Sequence, residues 1–169
     1  MENQNSKSMI KKAKILIIDD EEDTLDIFRR QLEDEYEIDT ADSAATAVEK
    51  LNINEYHIAM TDLVMPNEDG IELLKKIKEQ WPHISVMVIS GKASIEMAVE
   101  AMKLGADEFI EKPVEDLDLL KLMIEKILKA KWQIEEIDRL RRMLAQGFER
   151  TKIIGNSYAI QKVMEKVQR

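Results

Sequence analysis

Five short apolar runs alternate with helical patterns over the first two thirds of the chain, and this alternation limits the fold more than any other feature. The runs are "AKILIID" (13–19), "YEIDTA" (36–41), "YHIAMT" (56–61), "HISVMVIS" (83–90) and "DEFIE" (107–111). The first is continuously apolar and β-rich, as expected of a strand covered on both faces, whereas the second is weaker and edge-like. Leu25, Phe28 and Leu32 recur at helical spacing after the first run. Ser43 is placed to cap the second helix, and Asp69 and Glu72 have capping-box spacing at the third. Gly105 can close the fourth in a left-handed cap. Strands separated by helices pair in parallel through right-handed crossovers. The expected fold is therefore an α/β, doubly wound, five-stranded parallel sheet with helices on both faces. In such sheets a ligand site lies beyond the carboxyl ends of the strands.

Those ends carry the chemistry. The first run ends in Asp19-Asp20, the third in Asp62, the fourth in Ser90, and the fifth in Lys112 before Pro113. Three carboxylates that close repel one another unless a cation neutralises them. Oxygen-only donors select a hard cation, ordinarily Mg²⁺. Lys112 offers a positive point charge for a phosphoryl oxygen, and Ser90 offers a hydrogen bond. An ionised Asp62 could then attack phosphorus and become an acyl phosphate. In "HIAMTDLVMPNEDG" (57–70), Pro66 and Gly70 turn the chain sharply after Asp62, which would free the Val64 carbonyl to face the metal. Singly, each residue has an ordinary explanation as a cap, turn or strand end. Their conjunction on one rim is what points to a site.

Charge is unevenly spread. Residues 1–114 hold 13 Lys and Arg against 25 Asp and Glu, while residues 115–169 hold 12 against 9. The acidic part is a poor nucleic-acid surface, since phosphate contacts need clustered bases. There is no cysteine, hence no disulfide framework and no thiolate metal site. The opening "MENQNSKSMIKK" lacks the apolar core of a signal peptide, and no apolar run is long enough to span a bilayer. A cytoplasmic location is expected.

Taken together, "KILIIDDEED", "MTDLVMPNEDG", "VISG" and "FIEKPV" resemble the receiver domain of bacterial two-component response regulators, over about residues 13–130. The resemblance implies a flavodoxin-like sheet of strand order 2-1-3-4-5. It implies Asp62 as phosphoacceptor, and Asp19, Asp20, Asp62 and the Val64 carbonyl around Mg²⁺. Ser90 matches the switch hydroxyl, Lys112 the phosphoryl-contacting lysine, and Pro113 the proline that often follows a cis peptide. Phe109 falls at the aromatic switch position; without a tyrosine hydroxyl, any switch there rests on packing. The implied donor is a phosphohistidine on a sensor histidine kinase. His57 and His83 sit at strand starts, away from the carboxylates, and are expected to be structural.

A helical pattern runs from Val114 to about Gln146, roughly 50 Å at 1.5 Å per residue. Heptads place Leu120, Ile127, Ile134, Arg141 and Phe148 at a, and Met123, Ala130, Ile137 and Leu144 at d. A parallel homodimer through this linker, residues 131–150, is expected. Residues 1–12 are expected to be a flexible tail. The end, "KIIGNSYAIQKVMEKVQR", resembles the opening of the ATPase domain of nitrogen-regulator-type, sigma-54-dependent activators, from about residue 151. No G-x-x-x-x-G-K-[ST] loop is present, so the chain is expected to stop before the ATPase core, and with it any DNA-binding domain. The chain itself is expected to be a signalling module and not an enzyme. Two rivals stand beside this one: a phosphohydrolase with an aspartyl nucleophile, and an unphosphorylated dimer scaffold.

Overall fold

The computed structural model describes residues 13–66 and 68–154. The expected tail at 1–12, the side chains of Asp69 and Phe148, and the ATPase-like segment past residue 154 lie outside the described residues.

In chain order the elements are β1 (Lys14–Ile18), α1 (Glu22–Leu32), β2 (Glu37–Ala41), α2 (Ala44–Ile53), β3 (Ile58–Thr61), β4 (Val64–Met65) and β5 (Glu68–Asp69). They continue as α3 (Gly70–Gln80), β6 (Ser85–Ser90), α4 (Ile95–Lys103), β7 (Glu108–Glu111) and α5 (Leu117–Ile154). Five strands form one parallel sheet in the order β2-β1-β3-β6-β7, the expected 2-1-3-4-5 when the main strands alone are counted. The two-residue strands β4 and β5 form a separate antiparallel ribbon that the sequence pattern did not announce.

Burial follows from this order. Every residue of β3 is buried, and β1 and β6 are buried past their first residue. That is the signature of central strands covered on both faces. The outer strands β2 and β7 are mostly half-buried. Ser43 caps α2 by accepting the Thr46 N–H at 3.2 Å, and Ser94 caps α4 through the Met97 N–H at 3.3 Å. Gly105 follows α4 at φ 97°, the left-handed conformation its lack of a Cβ allows. Leu25, Phe28 and Leu32 form the buried stripe of α1, as their spacing requires.

The chain divides into two compact units, one up to Leu128 and one from Lys129. This division corrects the linker seam. Heptad spacing puts Leu120 and Ile127 at a positions of a coiled coil, yet they are 1% and 7% exposed within the first unit. They pack as core residues with Ile124 and Leu128. A helix stripe that covers its own domain is not free for a partner. The ion pairs Lys121–Glu35 (2.6 Å) and Lys126–Glu108 (2.7 Å) fasten the same turns. Beyond them, Ile134 and Leu144 are 62% and 64% exposed, with Ile137 also exposed. Among the described residues no helix is long and apolar enough to cross a membrane.

Candidate functional site

Strand register alone gathers the expected residues. Ile18 pairs with Thr61, so Asp19 and Asp62 each stand one residue beyond a paired position on neighbouring strands. Ser90 pairs with Glu111, and Lys112 follows it. Backbone bonds carry this alignment past the strand ends. The Asp19 N–H donates to the Ala41 carbonyl at 3.0 Å, that of Asp62 to Ile18 at 3.0 Å, and that of Lys112 to Ser90 at 3.1 Å. Parallel strands put all their carboxyl ends on one rim, which is why residues 93 positions apart in the chain can touch.

At that rim Lys112 Nζ donates to Asp19 Oδ2 at 2.5 Å and to Asp62 Oδ2 at 2.9 Å. Ser90 Oγ donates to Asp62 Oδ1 at 2.5 Å, and the Val64 N–H donates to the same oxygen at 2.9 Å. Asp19 Oδ1 in turn accepts the Glu21 N–H at 3.0 Å. Asp19, Asp62 and Ser90 are buried, and Lys112 is half-buried. The Lys112–Pro113 peptide is cis.

The two carboxylates differ in electrostatics. Burial pushes Asp62 up, but the hydrogen bonds from Ser90, the Val64 N–H and Lys112 outweigh it and hold the carboxyl below its ordinary value. Burial also pushes Asp19 up, and there it prevails over the bonds from Lys112 and the Glu21 N–H. Burial lowers Lys112, but its two carboxylate partners more than restore it, so the ammonium stays charged. Asp62 is thus a charged carboxylate at neutral pH with its oxygens aimed by three donors.

A prediction follows from Asp19. Its raised value means the folded state holds its proton more tightly than the unfolded chain. Stability from this group is present below the ordinary carboxylate range and is lost as pH rises through the folded value, leaving a net cost at pH 7. Asp19→Asn is expected to raise the melting temperature at pH 7, since the desolvation cost of the buried carboxylate is removed while Lys112 keeps Asp62 as its partner. The gap to the wild type should close as pH falls through the acid range. Melting curves at pH 7 and pH 4 check both signs.

Asp20 is exposed in the bend that follows β1, at the same sheet end as Asp19. Among the described residues no three acidic or imidazole side chains stand close enough to share a metal ion. The ammonium of Lys112 bridges Asp19 and Asp62 and supplies the opposite charge that two neighbouring carboxylates require. The donor chemistry nevertheless fits a hard divalent cation, since it consists of carboxylate oxygens whose charge exceeds that of the single ammonium. Val64 enters through its N–H, a contact sequence reasoning missed; a backbone amide leaves no trace in residue type. Thr61 is likewise buried at the end of β3 and was not singled out.

Phe109 is half-buried on β7 and packs against the core. It lines a groove of about 540 Å³ with Ala98, Val99 and Met102 of α4. His57 precedes β3 at the opposite sheet end, where its Nδ1 accepts the Lys14 N–H at 3.0 Å, a structural use of the imidazole. His83 precedes β6 and is exposed.

The sequence matches the response regulator receiver domain over residues 15–124. The transcriptional regulatory protein FixJ of Bradyrhizobium diazoefficiens is 36% identical over 122 residues, 72% of this chain and 59% of FixJ. The nitrogen assimilation regulatory protein NtrX of Azorhizobium caulinodans is 36% identical over 161 residues, 92% of this chain and 34% of NtrX. Among solved structures, a receiver domain protein from Clostridium thermocellum is 34% identical with a TM-score of 0.67, covering 72% of this chain and 98% of that one. NtrX from Brucella abortus, solved in complex with ADP, is 33% identical with a TM-score of 0.71, covering 93% of this chain and 34% of that one. The chain thus spans three fifths of the length of FixJ and about a third of NtrX.

Proposed function

The chain belongs to the response regulator receiver family, and on that premise we propose that Asp62 accepts a phosphoryl group from the phosphohistidine of a sensor histidine kinase. The observation that supports this most is the Asp62 carboxylate, held ionised at a strand end by Ser90, Lys112 and the Val64 N–H. One Asp62 oxygen attacks phosphorus. The phosphorus–nitrogen bond breaks, its electron pair stays on the imidazole, which takes up a proton, and an aspartyl phosphate forms. Lys112 and Ser90, both already bonded to Asp62, are placed to follow the new phosphoryl oxygens. Asp19, Asp20, Asp62 and the Val64 carbonyl would hold Mg²⁺, which when bound supplies positive charge to the transferring group.

Phosphorylation favours one of two pre-existing arrangements and does not create a new shape. Redirecting Ser90 and Lys112 shifts the ends of β6 and β7, and Phe109 repacks over α4. The change reaches the face of α4, β7 and α5, and α5 carries it into the second unit. The domain plan is a tail at 1–12, a receiver at 13–130, a linker at 131–150 and the start of an ATPase domain from 151. Exposed Ile134, Ile137, Leu140 and Leu144 favour a dimer through the linker. In a longer protein that dimer would control a sigma-54-dependent ATPase and a DNA-binding domain. This chain would contact the kinase and its own copy, and no nucleic acid, in the cytoplasm.

Beryllofluoride with Mg²⁺ mimics the phosphoryl group and tests this directly. The expected outcome is a bound fluorine resonance, together with a change in assembly state by light scattering. A chain that binds none would instead be the unphosphorylated scaffold. Steady turnover of a generic phosphate ester would make it the phosphohydrolase.

A further inference from the structure

Among the described residues the buried non-aromatic polar side chains are Asp19, Asp62, Ser90 and Thr61. The first three converge on the phosphoacceptor. Thr61 is the last residue of β3, 1% exposed, and its hydroxyl donates to the carbonyl oxygen of Asp62 at 3.0 Å. The two peptides flanking Asp62 are held differently. The one before it is fixed by the sheet, since the Asp62 N–H donates to Ile18. The one after it has left the sheet, and the Thr61 hydroxyl grips its oxygen. Two residues on, the Val64 N–H must return to Asp62 Oδ1 at 2.9 Å. A small rotation of the Asp62–Leu63 peptide would carry that N–H away from the carboxylate.

We propose that Thr61 is a positioning residue for phosphoryl transfer: its hydroxyl fixes the Asp62–Leu63 peptide so that the Val64 N–H stays on Asp62 Oδ1 and the carboxylate stays aimed. The inference rests on the assignment of Asp62 as phosphoacceptor. Thr61 touches none of the reacting atoms; it acts through the backbone. Valine has nearly its shape but no donor, and leaves the buried carbonyl unpaired. Serine keeps the donor.

The test compares Thr61→Val and Thr61→Ser in the whole chain, labelled with acetyl phosphate, alongside the Val64 amide resonance. Thr61→Val is expected to lower the labelling rate at saturating donor about tenfold, the scale of a modest misplacement. Its half-saturating concentration should be unchanged and its Val64 amide proton should move upfield. Thr61→Ser is expected to restore both rate and resonance. A valine variant that labels at the wild-type rate, with Val64 in place, overturns the inference. So does a serine variant as impaired as valine. If Thr61→Val does not fold, Thr61→Ala against Thr61→Ser decides on the same two readouts. A wild-type chain that takes up no label would overturn the Asp62 assignment instead, while the Val64 resonance reports on Thr61 without any label.

Discussion

Asp62→Asn is expected to take up no phosphoryl group from acetyl phosphate, a loss on the order of a thousandfold or more, as when a nucleophile is deleted outright. The amide keeps the shape of the carboxylate and can still accept from the Val64 N–H and Ser90. What it lacks is the charge and the free oxygen electron pair that displace the leaving group. The structure gives the same substitution a small structural cost. Lys112 retains Asp19 as an ion-pair partner, so no buried ammonium is left alone. Asp62 also has its value lowered by its neighbours, so it contributes stability above the ordinary carboxylate range, and that contribution disappears as pH falls through the folded value. The variant should therefore melt somewhat below the wild type at pH 7, with the gap closing as pH falls, while losing its label. Intact-mass spectrometry after incubation with acetyl phosphate checks the first point and thermal melting the second. Stoichiometric labelling of a folded Asp62→Asn chain would remove Asp62 from the mechanism.

The sheet was readable because its central strands are buried on both faces. Such strands must be continuously apolar, and β1, β3 and β6 are. The site was readable for a topological reason: parallel strands bring all carboxyl ends to one rim, so residues that close a strand in sequence must meet in space. One residue further on, Asp20 has left the strand for a bend and is exposed, so strand register does not fix its side chain. The ribbon of β4 and β5 was invisible because two residues carry no period. The heptads of α5 were real, but spacing does not reveal what covers a stripe. Leu120 and Ile127 satisfy the coiled-coil pattern and the receiver core equally well, and the core has them. The Thr61 hydroxyl and the Val64 N–H escaped notice because bonds to nearby backbone depend on conformation, not on composition.

Gly70→Ala is expected to unfold the receiver more readily than any other single-methyl addition at a described glycine. Gly70 opens α3, where alanine ought to be preferred by about 1 kcal/mol. Space decides against that preference. A Cβ there would lie 2.5 Å from Leu63 Cα, 2.6 Å from the Leu63 carbonyl oxygen and 2.7 Å from that of Asp62. All three are backbone atoms, so none can swing aside as a side chain would. The Gly70 N–H also donates to the Leu63 carbonyl at 3.3 Å, which holds the two segments together. Relief would require moving the Asp62–Leu63 peptide, the segment that aims the phosphoacceptor. A destabilisation of about 3 kcal/mol is expected, with slower labelling in whatever fraction stays folded. Gly105→Ala is the internal comparison. Its φ of 97° strains an alanine, but the added methyl would meet only Lys78 side-chain carbons at ordinary distances of 3.8 Å and beyond. That change should cost about 1 kcal/mol and leave labelling intact. Urea unfolding of the two variants, followed by acetyl-phosphate labelling, separates the cases. If Gly70→Ala were the milder of the two, the close approach of α3 to the Asp62 loop would not be what holds that loop in place.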